Sequence, residues 1–208
     1  FINLSNVYIL QNNTKKGIAV LKKYLTTNNY QTNIVNHLGM ICIKHNYEND
    51  LKELFKYLGL DLNSHNNKKY FFLYYLHGKF LQKKDEMNYA IDSYKKSIDL
   101  NNNYIEAYID LLSLLEQMNK LKEFKKYLDI ANSNFIHDYR IKFFESLYYN
   151  RINEFAQSQK LINKYILKEK LKNNQNIYSR MLDLMSKNYE KLGDYNLSFK
   201  NIEERNVF

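Results

Sequence analysis

The chain has 208 residues, 45% of them hydrophobic, which is enough to bury a substantial core. No run of about 18 apolar residues predicts a membrane-spanning helix, and the single cysteine, Cys42, excludes an intrachain disulfide. The net charge is +9, but Lys far outnumbers Arg and Asn is abundant, as in AT-rich coding sequences, so we interpret the charge as solvated helix faces rather than a nucleic-acid site.

Helices are predicted along the whole chain. Pro is absent and Gly occurs only five times, so helices have few breakers and strand-and-turn folds have few corners. Apolar residues recur at i, i+3, i+4 and i+7, as at Ala90, Ile91, Tyr94 and Ile98. Asn tolerates the left-handed conformation that ends helices, and its side chain caps new ones. Helix ends are therefore predicted at the Asn-rich clusters 12–13, 28–29, 66–67, 101–103, 132–134 and 173–174.

The helical pattern repeats at a fixed interval. Leu21 and Phe55 are 34 residues apart, as are Tyr94 and Leu128. A period of this length indicates stacked helical units, none of which can bury its apolar face alone. Six copies follow in chain order, at 1–31, 32–70, 71–104, 105–138, 139–178 and 179–208, with insertions of about five residues near 66–70 and 173–178.

The copies differ in clarity. The third has Gly78 in its first helix and Ala90 in its second, where small residues let two helices approach closely. The fifth is degenerate, because Lys142 and Glu145 stand where apolar residues belong, and its register stays open by one or two residues. The pattern resembles the tetratricopeptide repeat, most clearly in Tyr74-x2-His77-Gly78-x2-Leu81 with Ala90-x3-Tyr94-x2-Ser97, and also in Phe1-x2-Leu4-Ser5-x2-Tyr8 and Leu182-x2-Met185-Ser186-x2-Tyr189.

The resemblance implies an all-α fold, a right-handed α-solenoid (superhelix) of about twelve helices, with 1–208 as a single domain. It also implies a non-catalytic protein–protein interaction scaffold that binds a peptide or partner protein in its concave groove. Neither end has a clear polar capping helix, so we expect a piece of a longer protein, and self-association through the uncapped terminal repeats stays open. The first residues do not resemble a signal peptide, and we expect a cytoplasmic protein.

No pattern of catalytic or metal-binding residues is present. The histidines at 37, 45, 65, 77 and 137 lack zinc spacing. We expect His77 to be a hydrogen-bonded core residue and Cys42 to be a buried structural thiol. The glycines stand alone, so no phosphate loop is predicted. The sequence therefore predicts no enzyme, no cofactor and no metal.

The family implies where a ligand would bind. In tetratricopeptide repeats the first helix of each copy projects positions two, five, six, nine, twelve and thirteen into the groove. The fifth copy offers Arg140, Phe143, Phe144, Leu147 and Arg151 at these positions. The anchor pairs we predict are Tyr75 with Lys79 and Phe144 with Arg151. The full set of predicted peptide-binding residues is His37, Lys44, Phe72, Tyr75, Lys79, Lys83, Arg140, Phe144, Arg151 and Arg180.

The predicted partner is a protein or peptide of mixed charge, because Glu106 and Asp110 of the fourth copy separate the basic positions. No nucleic acid is expected, since base-reading residues do not recur at one slot, and no membrane is expected. The complete set of Lys, Asn and Arg side chains with which some family members clamp a chaperone's carboxylates is absent. The alternative is a substrate-positioning or assembly arm of a larger enzyme, such as a sulfotransferase or glycosyltransferase, because the ending from Leu192 to Asn206 resembles the last repeat before the transferase domain in some sulfotransferases.

Overall fold

In a computed structural model the described residues are 1–27, 31–58, 70–166 and 175–206, and these ranges form twelve α-helices and no strand. The predicted all-α fold is confirmed. The helices pair as six hairpins, each with an A helix followed by a B helix. The A helices are α1 (Ile2–Leu10), α3 (Thr32–Lys44), α5 (Phe71–Lys83), α7 (Ile105–Gln117), α9 (Tyr139–Arg151) and α11 (Gln175–Lys191). The B helices are α2 (Thr14–Thr27), α4 (Glu48–Tyr57), α6 (Met87–Leu100), α8 (Leu121–Asn134), α10 (Phe155–Ile166) and α12 (Tyr195–Asn206).

One backbone feature recurs in the turn between the A and B helix of every hairpin. The second residue after each A helix has a φ angle between 55° and 83°, in the left-handed region. The next residue donates its N–H to the carbonyl five residues earlier, as from Tyr47 to Cys42 and from Lys120 to Leu115, both at 2.9 Å. This is the Schellman arrangement that ends helices. The left-handed residues are Asn12, Asn46, Asp85, Asn119, Asn153 and Gly193.

These turns give the spacing of the repeats directly. The left-handed residues are 34, 39, 34, 34 and 40 residues apart. The two longer intervals contain the predicted insertions. Residues 66–69 and 173–174 of these insertions lie outside the described ranges, as does the Asn cluster 28–29, whereas 175–178 form the start of α11. Of the predicted clusters only 12–13 coincides with an A–B turn. The other turns use a single Asn, Asp or Gly, which no cluster marked.

The chain divides into two units, Phe1–Ala107 (unit 1) and Tyr108–Phe208 (unit 2). The division falls near the start of α7, inside the predicted fourth copy. One continuous solenoid over 1–208 therefore stays a prediction. No helix in the described ranges is both long and apolar enough to cross a bilayer.

Small residues set the helix contacts in unit 1. A Cβ atom added to Gly78 would lie 2.6 Å from two ring carbons of Tyr94, so α5 and α6 touch at this glycine. A Cβ atom on Gly39 would lie 2.4 Å from a methyl carbon of Leu76, so α3 and α5 touch there. Tyr94 and Leu76 are fully buried. The predicted role of the small-residue positions is seen in these contacts.

Unit 2 has an aromatic core joined to a buried polar network. Phe124 of α8 packs on Phe144 of α9 with ring centroids 6.2 Å apart. Nearby, the hydroxyl of Ser158 donates to the carbonyl of Ser146 and accepts from the amide of Asn188, each at 2.8 Å. Asn188 in turn accepts from the amide of Asn150 at 2.8 Å. This network joins α9, α10 and α11, and its bonds satisfy groups that would be costly to bury alone.

The degenerate fifth copy is explained by an ion pair. Lys142 donates to Glu145 at 2.7 Å and to Asn132 at 2.9 Å, and all three side chains are half-buried. The two charged residues therefore pair with each other where the repeat pattern has apolar residues. In the next copy, α11 begins at Gln175, before the predicted start of that copy at 179.

Candidate binding surfaces of the A helices

The structure buries the predicted aromatic contacts of unit 1. Phe72 is 1% exposed and Tyr75 is 7% exposed. Both pack on Tyr104, with ring centroids 6.4 Å and 5.1 Å away, and Tyr75 also packs on Tyr94 at 6.0 Å. The prediction that these two rings face a ligand is wrong, because α5 is apolar on nearly all sides and uses them to fill the core.

The accessible side chains that join α3 to α1 and continue along α3 are polar, with Met40 as the apolar exception. Nε2 of His37 hydrogen-bonds to Oδ1 of Asn6 at 2.8 Å, which joins α3 to α1. Partial burial lowers the pKa of His37 from its ordinary value, so the ring is neutral near pH 7. Asn36 is half-buried, Met40 is 38% exposed, and Lys44 is exposed at the end of α3. These five side chains form what we call the α1–α3 strip.

Two predicted lysines of α5 differ in their surroundings. Nζ of Lys83 donates to the carbonyl oxygen of Ile43 and lies 3.4 Å from the carbonyl oxygen of Lys44. It therefore caps the carbonyl end of α3, where a positive charge is favourable. Lys79 is half-buried on the preceding turn of α5. Both residues lie on A helices as predicted, and Lys83 also has this structural role.

The predicted anchor pair of unit 2 does not assemble at the surface. Phe144 is 2% exposed and lies between Phe124 and Phe143, with centroids 6.2 Å and 5.5 Å away. The prediction that Phe144 contacts a ligand is therefore wrong, because the ring belongs to the core of the unit. Arg151 is exposed and hydrogen-bonds to Glu116 of α7.

The remaining predicted residues of unit 2 are two arginines. Arg140 binds Asp138 through Nε at 3.1 Å and Nη2 at 2.9 Å, and Asp138 also accepts from the backbone N–H of Arg140 at 2.9 Å as the N-cap of α9. Arg180 of α11 is exposed, and its guanidinium carbon lies 4.7 Å from the ring centroid of Phe143. Arg180 and Phe143 form a cation–π pair between α11 and α9.

Cys42 and His77, for which a structural role in the core was predicted, have the surroundings expected of them. Cys42 is 1% exposed, and burial, with a smaller contribution from Asp50, raises the pKa of its thiol to about 12. Nδ1 of His77 lies 2.9 Å from the hydroxyl of Ser93, and burial lowers the pKa of the ring. Among the described residues no group of three or more His, Cys, Asp or Glu is arranged to hold a metal. The absence of catalysis stays a prediction.

Asn6 and Phe143 were not in the predicted set. Phe143 stood beside Phe144 among the groove positions of the fifth copy, whose register was open, and Phe144 was chosen as the anchor. No role was predicted for Asn6, which lies on the A helix of the preceding copy, 31 residues before His37.

Solved structures support the fold. A tetratricopeptide repeat protein from Parabacteroides merdae is 13% identical with a TM-score of 0.66, over 98% of this chain and 76% of that one. PilF of Pseudomonas aeruginosa is 15% identical with a TM-score of 0.70, over 100% of this chain and 90% of that one. BtubC (BKLC) from P. vanneervenii is 10% identical with a TM-score of 0.71, over 93% of this chain and 87% of that one. At these identities the likeness concerns the fold alone.

The sequence itself identifies a family. No curated protein sequence matches the chain significantly. The family model described as anaphase promoting complex subunit 8 / Cdc23 matches residues 11–179, which is most of the chain. This match agrees with the tetratricopeptide-type hairpins and supports a role in protein–protein interaction. The chain therefore belongs to the anaphase promoting complex subunit 8 / Cdc23 family.

Proposed function

We propose that the chain is a scaffold subunit of a larger protein assembly and holds an extended segment of a partner along the α1–α3 strip of unit 1. The family's description as a complex subunit supports assembly as the role. One observation carries the location. The bonds from His37 to Asn6 and from Lys83 to Ile43 join successive A helices, so the surface is held in place before a ligand arrives. A pre-organised surface loses less entropy on binding.

The side chains of the strip suit a peptide of mixed charge. Asn36 carries two N–H donors and one carbonyl acceptor, which match the acceptor and donor of a peptide group. Met40 offers an exposed, flexible thioether that packs against side chains of varied shape. Lys44 attracts an acidic residue of the ligand. We propose that Asn36 binds ligand backbone, Met40 an apolar side chain and Lys44 a carboxylate.

The test is binding of the full chain to an array of random dodecapeptides. We expect the double variant Asn36→Leu with Lys44→Glu to retain peptides about tenfold more weakly than the wild type, because it loses hydrogen bonds and reverses a charge. The matched control is Lys56→Glu, which reverses an exposed charge on the B helix α4 of the same unit. We expect this control to bind as the wild type does.

Two outcomes would contradict the proposal. A wild-type chain that retains no peptide would remove the binding function altogether. Equal retention by the double variant and the wild type, with both folded by circular dichroism, would remove the strip as its location.

The alternative role, as the substrate-positioning or assembly arm of a larger enzyme, has less support. Its basis was the resemblance of the ending from Leu192 to Asn206 to the last repeat before the transferase domain in some sulfotransferases. In the part of the chain that the structure describes, no arrangement of side chains favours this role over that of a scaffold.

A further inference from the structure

One of the four arginines differs from the others in its partners. Arg180 is exposed and lies over the ring of Phe143, and in the described part of the chain it has no carboxylate partner. The other three each bind a carboxylate of their own unit: Arg140 with Asp138, Arg151 with Glu116 and Arg205 with Asp183.

We propose that Arg180, stacked on Phe143, binds a single Asp or Glu carboxylate of the partner. This inference rests on the proposed scaffold function and assigns to unit 2 a specificity-determining residue that is separate from the α1–α3 strip. The partner segment that reaches unit 2 is therefore an acidic one.

The stacking geometry suits this role. A guanidinium that lies over a ring uses its flat face for the contact, and its N–H groups point outward along the edge. Those N–H groups form the planar fork that binds both oxygens of a carboxylate. Phe143 is 5% exposed and packs on Phe144 at 5.5 Å, so the ring is a fixed support. Arg180 is held by this support and loses little side-chain freedom on binding.

The local charges favour a carboxylate over a phosphate. The nearest acidic residue on the same helix is Asp183, which already accepts from Lys187 at 2.7 Å and from Arg205 at 2.8 Å. The charge of Arg180 therefore stays available to a ligand. It matches the one charge of a carboxylate, whereas a phosphate carries nearly two at neutral pH. A second cation is not supplied by Arg140, since Asp138 binds it in two places.

The rival explanation is that Arg180 only covers the edge of the aromatic core. The array of random dodecapeptides separates the two explanations when it is probed with the 208-residue wild type, Arg180→Gln and Arg180→Lys. We expect wild-type binding to favour peptides with Asp or Glu. We expect Arg180→Gln to weaken the binding of those peptides about tenfold, the loss of one charge-assisted interaction, and to leave peptides without acidic residues unchanged.

Two further variants sharpen the result. Arg180→Lys keeps the charge and loses the planar fork, so we expect it to fall between the wild type and Arg180→Gln. Lys200→Gln removes the same charge from an exposed position on α12, and we expect it to keep the wild-type preference. Circular dichroism should show that all the variants are folded, because the changed side chains are exposed.

Each remaining outcome has a definite meaning. If the wild type retains peptides without preferring acidic ones, or if Arg180→Gln behaves like Lys200→Gln, the inference fails and the scaffold function stands. If phosphoserine peptides are preferred to their Glu counterparts, the assignment of a carboxylate is wrong. If the wild type retains no peptide, the scaffold function fails and the inference fails with it.

Discussion

Gly78 determines how closely α5 and α6 approach. A Cβ atom at this position would lie 2.6 Å from the ring of Tyr94, and that ring is fixed because its hydroxyl donates to Gln82 at 2.8 Å. We expect Gly78→Leu to lower the free energy of unfolding by about 1–3 kcal/mol through overpacking. Urea denaturation followed by circular dichroism measures the change.

The control for this substitution is Tyr89→Leu, at an exposed position on α6 of the same unit. We expect it to change the free energy of unfolding by less than about 0.5 kcal/mol. If Gly78→Leu were no more destabilising than Tyr89→Leu, the close contact between α5 and α6 would be refuted.

The burial of a single residue was predictable where its position in the repeat determines its surroundings. Cys42 and His77 were expected in the core from their positions in the pattern, and both have the buried or hydrogen-bonded surroundings predicted. Tyr75 and Phe144 were assigned to the groove by helix position alone. How much of a helix face stays open depends on how neighbouring helices pack, and the sequence of one helix does not give that.

At the scale of the element, the A–B turns predict which residue types the left-handed position accepts. Five of the six left-handed positions are Asn or Asp, and the sixth is Gly193 with φ of 83° and no atom within 4 Å of an added Cβ. We expect Gly193→Asn to cost well under 1 kcal/mol, because Asn is accepted at the other turns. We expect Gly193→Val to cost about 1–2 kcal/mol, because a β-branched residue strains this conformation.

Both variants are measured by urea denaturation against the wild type. No atom lies within 4 Å of a Cβ added at this position, so a difference between the two variants reports the backbone conformation rather than a clash at that atom. Equal costs for Asn and Val would show that the left-handed turn is not what ends α11.

The helices themselves were predictable and their ends less so. The 34-residue period and the apolar spacing gave the number and order of the helices, because both follow from packing that repeats. The turns at Asn46, Asp85, Asn119 and Asn153 were missed, because one Asn or Asp in a sequence rich in both carries little signal. The fifth copy was hard to recognise because Lys142 and Glu145 stand where the repeat pattern has apolar residues. Each charge is tolerated there because it pairs with the other, and that pairing is visible only in the structure.

At the scale of the whole molecule, α1 exposes an apolar face. Leu4, Val7 and Leu10 are three residues apart and therefore lie along the same side of the helix, and Leu10 is 83% exposed. Apolar faces of this kind mark contact sites. We expect the isolated chain to self-associate through α1 and Leu10→Glu to shift it toward the monomer, as measured by sedimentation equilibrium.

The comparison for this variant is Ile136→Glu, which places the same charge at another exposed apolar residue, between α8 and α9. We expect it to associate as the wild type does. A wild-type chain that is monomeric at all concentrations would contradict the predicted self-association through terminal repeats.

The buried amide network of unit 2 restricts how the gene can change its number of repeats. Identical repeats can be duplicated or lost by unequal recombination, since any copy stacks on any other. Asn188 is fully buried and finds its partners in Asn150 and Ser158 of the preceding hairpin. A hairpin exchanged at this junction would leave the amide buried without those partners, at about 1–3 kcal/mol. Such a recombinant would be less stable by that amount, so a change in repeat number that keeps these two hairpins together costs less.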